Sequence, residues 1–330
     1  MPEDHLKISI IVPSFNQGHF IEETLLSILN QSYTNVEIIL IDGGSVDNTL
    51  SVIKKYESKL TFWLSEKDSG QSEAINKGLK AATGDIITWL NSDDLYEKNT
   101  LRLVADMFTS DESIQLLHGK TLLFGEKINT QLIGPDKDLE SHEYLPYMRF
   151  PQPSSFFRKS ALEKIMPVNN NLHYAMDFEL VVKLILMNFK AKRVSDLFSR
   201  YRMHKTSKSN NDLAFLHDWS EVFINVLRSI PGGETYISQL NDLDIRSKKA
   251  GSIYPNFICL SDQLVENIFL THLDLHFHHH YRAFNYADCK KISDFMKKSY
   301  FQFYTHKQYK KFMFRLKFVP KFIVSLVRNF

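Results

Sequence analysis

Between residues 7 and 109 the chain keeps one beat: a short run of β-branched residues, a polar turn, then a longer amphipathic stretch. KISIIVP, VEIILID, LTFWLSE and DIITWLN read as strands, and HFIEETLLSILNQ, VDNTLSVIKKYES and QSEAINKGLKAAT read as helices between them. Near-continuous apolar strands such as IIVP and IILI call for a sheet covered on both faces, the habit of parallel sheets in α/β proteins. Right-handed crossovers bring the carboxyl ends of such strands to one edge, and ligands of open α/β sheets bind outside that edge. Four polar strand ends collect there: PSFN at 13–16, DGGS at 42–45, EKDSGQS at 66–72 and NSDD at 91–94.

Beyond residue 109 the beat weakens. IQLLHGKTLLFG reads as a strand or hairpin, GPDKDLESHEYLPYMRFPQPSS as an irregular connection, and PQPSSFFRKSALEKI as a turn with a short helix. YAMDFELVVKLILM is an amphipathic helix starting near Asp177, and AKRVSDLFSRYRMH is a strand. HKTSKSNND, at 204–212, holds no apolar residue and marks a boundary. The expected organisation is an α/β domain over 1–205 and a helical region over 206–330.

With 330 residues, 43% of them hydrophobic, the chain can bury a sizeable core, which excludes disorder as its dominant state. Cys259 and Cys289 are too few for a disulfide framework and lack metal-ligand spacing, which fits a reducing, cytoplasmic setting. The first residues, MPEDHLKISIIVPSF, are neither a basic-then-apolar leader nor long enough to span a bilayer. A net charge of +2 conceals seven cations and no acid in 307–330, so the rest carries −5. That asymmetry excludes a general nucleic-acid binder and points to a local anionic partner for the tail.

Paired carboxylates at a strand end suit a hard cation: Mg²⁺ or Mn²⁺ takes oxygen ligands, one or two carboxylates plus substrate phosphates. Asp93, with Asn91 or Asp94, can supply them; alternatively Asp93 and Asp94 cap the helix read in YEKNTLRLVADMF. In DGGS, Asp42 can accept the ring N–H of a uracil or thymine, without excluding guanine, while the glycines let backbone approach. A plain glycine turn into a helix at Val46 explains the same residues equally well. No GxGxxG follows the first strand and no Walker A signature is present, so dinucleotide and P-loop readings lack their devices.

Taken together and in chain order, SIIVPSFNQGHFIEETLLSILNQSY, VEIILIDGGSVDNT and SEAINKGLKAATGDIITWLNSDD resemble the inverting family 2 glycosyltransferases of GT-A fold, over roughly the first two thirds of the chain. The resemblance implies a Rossmann-like, mixed and mostly parallel sheet flanked by helices, with a C-terminal helical extension. It implies a nucleotide diphosphate sugar donor, a UDP-sugar foremost, held by Pro13, Ser14, Phe15, Asn16, Asp42, Gln71, Asn91 and Ser92. Its metal-binding DxD element falls on Asn91, Ser92 and Asp93; the first acidic position is Asn91 here, which leaves Asp93 as principal ligand of the divalent cation, with Asp94 beside it. YAMDFEL resembles the acidic motif that carries the catalytic base, at Asp177, and an ionised carboxylate within reach of an acceptor hydroxyl can take its proton. A helix N-terminus would favour the charged form, and Asp177 can also be the N-cap of that helix.

RYRMHKTSKS resembles the family's polar segment after the last strand, where His204 completes the metal shell and Arg202 or Lys205 neutralises the leaving group; the bland alternative is an exposed linker. Adjacent His278, His279 and His280 point different ways on a helix, which predicts a solvated surface and no site. In the tail, Phe312, Leu316, Val319, Ile323 and Leu326 or Val327 recur at helical spacing between cations, interrupted by Pro320. Such a stripe packs on the protein body or lies on an anionic membrane surface, each basic residue adding about 1 kcal/mol; the second is the expectation, giving a peripheral protein on the cytoplasmic face that acts on a glycan or lipid-linked acceptor, as in bacterial surface polysaccharide synthesis. Two other classes use the same residues: a glycoside hydrolase with Asp93 and Asp177 as its carboxylate pair, and a non-catalytic nucleotide-sugar-binding module.

Overall fold

The computed structural model describes residues 6–126, 128–247, 252–307 and 309–319. They form two compact units. The first runs up to Tyr144, resumes over Met148–Asn210 and takes back Pro255–Ile258; the second comprises Leu145–Tyr147, Asn211–Tyr254 and the chain from Cys259 onward.

The first unit begins with β1 (Ile8–Ser14), α1 (Ile21–Leu29), β2 (Val36–Asp42), α2 (Thr49–Tyr56), β3 (Phe62–Ser65), α3 (Gln71–Ala81) and β4 (Ile86–Trp89). It continues through β5 (Leu95–Tyr96), α4 (Thr100–Ser110), β6 (Ile114–Gly125), β7 (Gln131–Ile133), β8 (Ser155–Arg158), α5 (Lys159–Leu162), α6 (Met176–Leu186) and β9 (Lys190–Met203). These strands make one mixed sheet in the order β3-β2-β1-β4-β8-β6-β9-β5, with β7 a hairpin partner of β6. The β3–β2, β2–β1 and β1–β4 pairs are parallel; β8 runs antiparallel between β4 and β6, and β9 is parallel to β6.

Alternation along β1 explains both covering layers. Ile8, Ile10 and Val12 join a core with Ile21, Leu25 and Ile28 of α1 and Leu101, Val104 and Phe108 of α4, spacings of three and four that put one helix stripe on the sheet. Ile11 faces the other way, against α3, where a Cβ on Gly78 would lie 2.4 Å from Ile11 Cγ2; only glycine lets the helix come so near the strand. SFFR, read above as part of a turn and helix, is instead β8, held between Ile87 and Leu116 at Phe157. IQLLHGKTLLFG is one continuous strand that shares its hairpin with β7.

The amino edge of the sheet is pinned by a buried acid. Glu37 accepts from Ser9 Oγ (2.5 Å), Thr83 N (2.5 Å), Thr83 Oγ1 (2.8 Å) and Gly84 N (3.1 Å), and pairs with Lys7 Nζ (2.7 Å). Burial opposes its charge, yet Lys7, Ser9 and Thr83 together hold the carboxyl down at about 2.

The second unit is helical: α7 (Asp212–Ser229), α8 (Gly233–Asp242), α9 (Asp262–Arg282), α10 (Tyr286–Ser299), α11 (Phe301–His306) and α12 (Tyr309–Phe318). The solvated-surface reading of the histidines is corrected here. His279 is 4% exposed, and His272 and His276 of the same helix are buried, His272 stacked on Phe223 at 4.0 Å and His276 bonded to Ser220 Oγ at 2.7 Å. Phe312 packs its ring against His278 and Tyr281 of α9, at 5.2 and 5.0 Å, while Phe314 and Phe318 are exposed. Pro320, Ile323, Leu326 and Val327 lie outside the described residues. No helix among the described residues is long and apolar enough to cross a membrane.

A depressed folded-state pKa adds stability above the unfolded value that is lost as pH falls toward the folded one. Glu37→Gln should therefore lower the unfolding free energy by about 2 kcal/mol at pH 7, and urea titrations from pH 7 to 2 should show the difference fading below pH 4.5. A difference that persists unchanged to pH 2 would contradict the pinning role.

Candidate functional site

The carboxyl edge is a set of loops bonded to one another. At the end of β2, Asp42 is fully buried; Oδ2 accepts from Gly44 N (3.2 Å), Ser45 N (2.9 Å) and Ser65 Oγ (2.7 Å), and Oδ1 from Ser45 Oγ (2.5 Å). Asp47 accepts from Gly18 N and Thr49 N, both at 3.0 Å. Asn16, at φ 53°, donates its amide to Ser45 Oγ (2.7 Å) and accepts from Val46 N (2.9 Å). The segments after β1 and β2 thus form one platform, with Pro13 and Ser14 buried beneath and Phe15 58% exposed. Ser14 Oγ is buried without a hydrogen-bond partner. Oδ2 meets three protein donors and Oδ1 one, so Asp42 builds the turn while Oδ1 keeps an acceptor position beyond its bond to Ser45 Oγ.

NSDD closes a tight turn, Asp94 N donating to Asn91 O at 3.0 Å. Neither aspartate caps the next helix, because β5 intervenes and the N-cap of α4 is Asn99. Asp94 is wholly buried: Oδ1 accepts from Arg202 N (2.9 Å), Oδ2 from Asn91 Nδ2 (3.3 Å), and its carbonyl from Thr24 Oγ1 (2.8 Å). Burial, then the adjacent Asp93 charge, pushes its carboxyl well above the usual range. As a metal ligand Asp94 is therefore corrected: it is an internal clamp that joins the turn to the end of β9.

That clamp positions the segment just beyond β9. His204 Nε2 lies 2.9 Å from Asp93 Oδ2, while Nδ1 is held by Thr206 Oγ1 at 2.9 Å and the ring rests on Phe20 at 4.8 Å. Arg202 points elsewhere: Nε donates to Asp93 O (2.9 Å), Nη2 pairs with Glu23 (2.5 Å), and the guanidinium sits between Phe20 and Phe124. So engaged, Arg202 ties α1 and the NSDD turn to the end of β9. Lys205 is exposed. Lys208, absent from the sequence expectation, reaches Gln71 Oε1 (2.9 Å) and His173 O (3.4 Å), and Gln71 Nε2 donates to Asn91 Oδ1 (2.6 Å). Ser92 is buried in the turn.

A carboxylate and an imidazole whose second nitrogen is fixed from behind make a donor pair that suits a divalent cation, provided phosphate oxygens and water complete the shell. Among the described residues no group of three or more His, Cys, Asp or Glu forms a self-sufficient metal site.

Asp177 is the second residue of α6, whose N-cap is Ala175, and its Oδ1 accepts from Phe178 N at 2.8 Å. Burial raises its carboxyl to about 6, against the pull of that amide and of Lys208, so desolvation outweighs the helix terminus invoked from sequence. Tyr201 of β9 gathers the acids: burial, then the charges of Asp94, Asp93 and Asp177, pushes its phenol upward, so all three carboxylates lie within electrostatic reach of one side chain.

Residues 9–166 match the family model for glycosyl transferase family 2. The cholesterol galactosyltransferase of Borreliella burgdorferi is 24% identical over 72% of this chain and 71% of its own. TarS 1-349 of S. aureus in complex with UDP-GlcNAc superimposes with a TM-score of 0.60 at 17% identity, covering 93% of this chain and 90% of that one. The mannosyltransferase PcManGT of Pyrobaculum calidifontis, in complex with GDP-Man and Mn²⁺, gives 0.55 at 15% identity, covering 100% and 89%. At such identities the solved structures speak for the fold, and the family match sets the hydrolase reading aside. Residues 9–166 are thus a glycosyl transferase family 2 domain, carried on a sheet of GT-A type.

Proposed function

We propose that the protein transfers a sugar from a nucleoside diphosphate sugar, a UDP-sugar foremost, to an acceptor hydroxyl with inversion at the anomeric carbon. The observation that carries this reading is the pairing of Asp93 with His204 at 2.9 Å at the carboxyl edge of the sheet. The nucleoside lies on the platform of Pro13, Ser14, Phe15 and Asn16, and the diphosphate lies toward Asn91, Ser92, Gln71 and the basic pair Lys205 and Lys208. Asp93 and His204 would hold the divalent cation, Mg²⁺ or Mn²⁺, which when bound offsets negative charge on the departing diphosphate. The acceptor oxygen bonds to the anomeric carbon as the bond to the phosphoryl oxygen breaks; the electron pair leaves with the nucleoside diphosphate, and the hydroxyl proton passes to Asp177. A carboxyl near 6 is well matched to that task, since it is mostly ionised at neutral pH yet basic enough to take a proton in the transition state.

The acceptor in this reading is a glycan or lipid-linked hydroxyl at the cytoplasmic face of a membrane. The relative from Borreliella, named for a lipid acceptor, supports it, as do exposed Phe314 and Phe318 beside Lys310, Lys311 and Lys317 in the basic tail over 307–330.

One substitution separates chemistry from architecture. Asp177→Asn should lower kcat by about 10²–10⁴-fold with the donor Kd within about twofold. Because the native pKa is raised above 3.8, the ionised form costs stability as pH rises through about 6, so the same variant should be more stable than wild type at pH 7, by about 2 kcal/mol, and equal to it below pH 4. Wild-type kcat should fall below an apparent pKa near 6. Retained turnover, or a loss of stability at pH 7, would contradict the base assignment. Asp93→Ala should abolish stimulation by Mn²⁺ in a transfer assay, and metal-stimulated turnover in that variant would remove Asp93 from the cation site.

A further inference from the structure

The segment after β9 closes a tight turn. Ser207 N donates to His204 O at 3.0 Å and His204 N donates to Ser207 Oγ at 2.9 Å, so backbone and side chain tie the same four residues together. Ser207 is buried, and its hydroxyl donates in turn to Arg202 O at 3.4 Å. The turn sets the His204 ring between two partners: Asp93 Oδ2, 2.9 Å from Nε2, and Thr206 Oγ1, 2.9 Å from Nδ1. With the ring against Phe20 at 4.8 Å, any rotation of the imidazole breaks both contacts.

The two contacts constrain each other. A carboxylate only accepts, so the nitrogen that faces Asp93 carries the ring proton; a neutral imidazole then has its lone pair at Nδ1, and the Thr206 hydroxyl donates to it. Holding a cation through Nε2 requires the opposite arrangement, with the lone pair at Nε2 and the proton at Nδ1, so the group beside Nδ1 must accept. A hydroxyl serves in both roles by rotating about its C–O bond, whereas a carbonyl or a carboxylate in its place could only accept and would fix one tautomer. The His204 side chain is 10% exposed, which leaves little room for water to stand in for the hydroxyl.

We propose that Thr206 is a positioning residue that lets His204 change tautomer, donating to Nδ1 while the ring holds Asp93 and accepting from Nδ1 when the ring holds a divalent cation. This rests on the cation reading given above and adds to it a residue that acts through His204. The exchange conserves protons: Nε2 gives one up and Nδ1 takes one on, and the net charge of the ring does not change. A carboxylate and an imidazole already held side by side need less ordering when the cation arrives.

The test is titration of the full chain with Mn²⁺ in the presence of UDP, free Mn²⁺ being read by electron paramagnetic resonance. Thr206→Val, which keeps the shape and removes the hydroxyl, should weaken Mn²⁺ binding by about tenfold or more, whereas Thr206→Ser should stay within about twofold of wild type. Melting temperature and metal-free UDP affinity should match wild type in both variants. Nitrogen-15 spectra of the histidines, with His204 assigned by its loss in His204→Asn, should place its proton on Nε2 without cation and on Nδ1 with diamagnetic Mg²⁺ bound. A folded Thr206→Val with wild-type Mn²⁺ affinity, or a His204 proton that stays on one nitrogen through loading, would overturn the inference and leave the cation reading standing. If wild type binds no Mn²⁺ with UDP present, the cation reading fails and takes the inference with it.

Discussion

The site depends on one buried hydrogen bond, from the backbone N–H of Arg202 to the carboxylate of Asp94, between residues 108 positions apart in the chain. Hiding a carboxylate is costly unless donors meet it, and Asp94 is met on one oxygen by that amide and on the other by Asn91. The bond fastens the NSDD turn to the carboxyl end of β9. His204 can then face Asp93 at 2.9 Å, and Tyr201 can lie within reach of the acids. Thr24 of α1 secures the same residue from its carbonyl side, so the helix that covers the sheet also sets the turn.

Two carboxylates of the first unit show how burial produces opposite outcomes. Glu37, at the amino edge, is surrounded by a lysine, two hydroxyls and two backbone amides, and stays charged down to about pH 2. Asp177 meets only backbone amides of its own helix and the charge of Lys208, and burial raises it to about 6. Dense donors make an acid structural, whereas sparse donors leave it able to exchange a proton near neutrality. The price is a site less stable than it would be with an amide, a common feature of reacting centres.

The first four strands and the helices between them were readable because parallel strands covered on both faces carry near-continuous apolar runs, and because helical spacing repeats between them. The short strand at Ser155–Arg158 was not, since its four residues follow a proline-rich turn and acquire meaning only from partners near residues 87 and 116. At the site, Asp93 and His204, drawn from motifs 111 residues apart, meet at 2.9 Å. Asp42, Asp94 and Arg202 are engaged by hydrogen bonds from remote segments, which no sequence pattern announces. Lys208 carries no signal of its own in the sequence, because it lies in a run of polar residues. The buried histidines of α9, His272, His276 and His279, do recur at spacings of four and three, a helical stripe that the adjacent run His278–His280 conceals.

The central claim is that the diphosphate of the donor is held on a cation at Asp93 and His204, with Asp177 facing the reacting carbon. A crystal structure with UDP and Mn²⁺ tests it most directly through anomalous scattering. The account predicts a manganese peak on the Asp93 carboxylate, continuous with the phosphates of the nucleotide. A nucleotide ordered on the platform with manganese absent from Asp93 or bound elsewhere would contradict it.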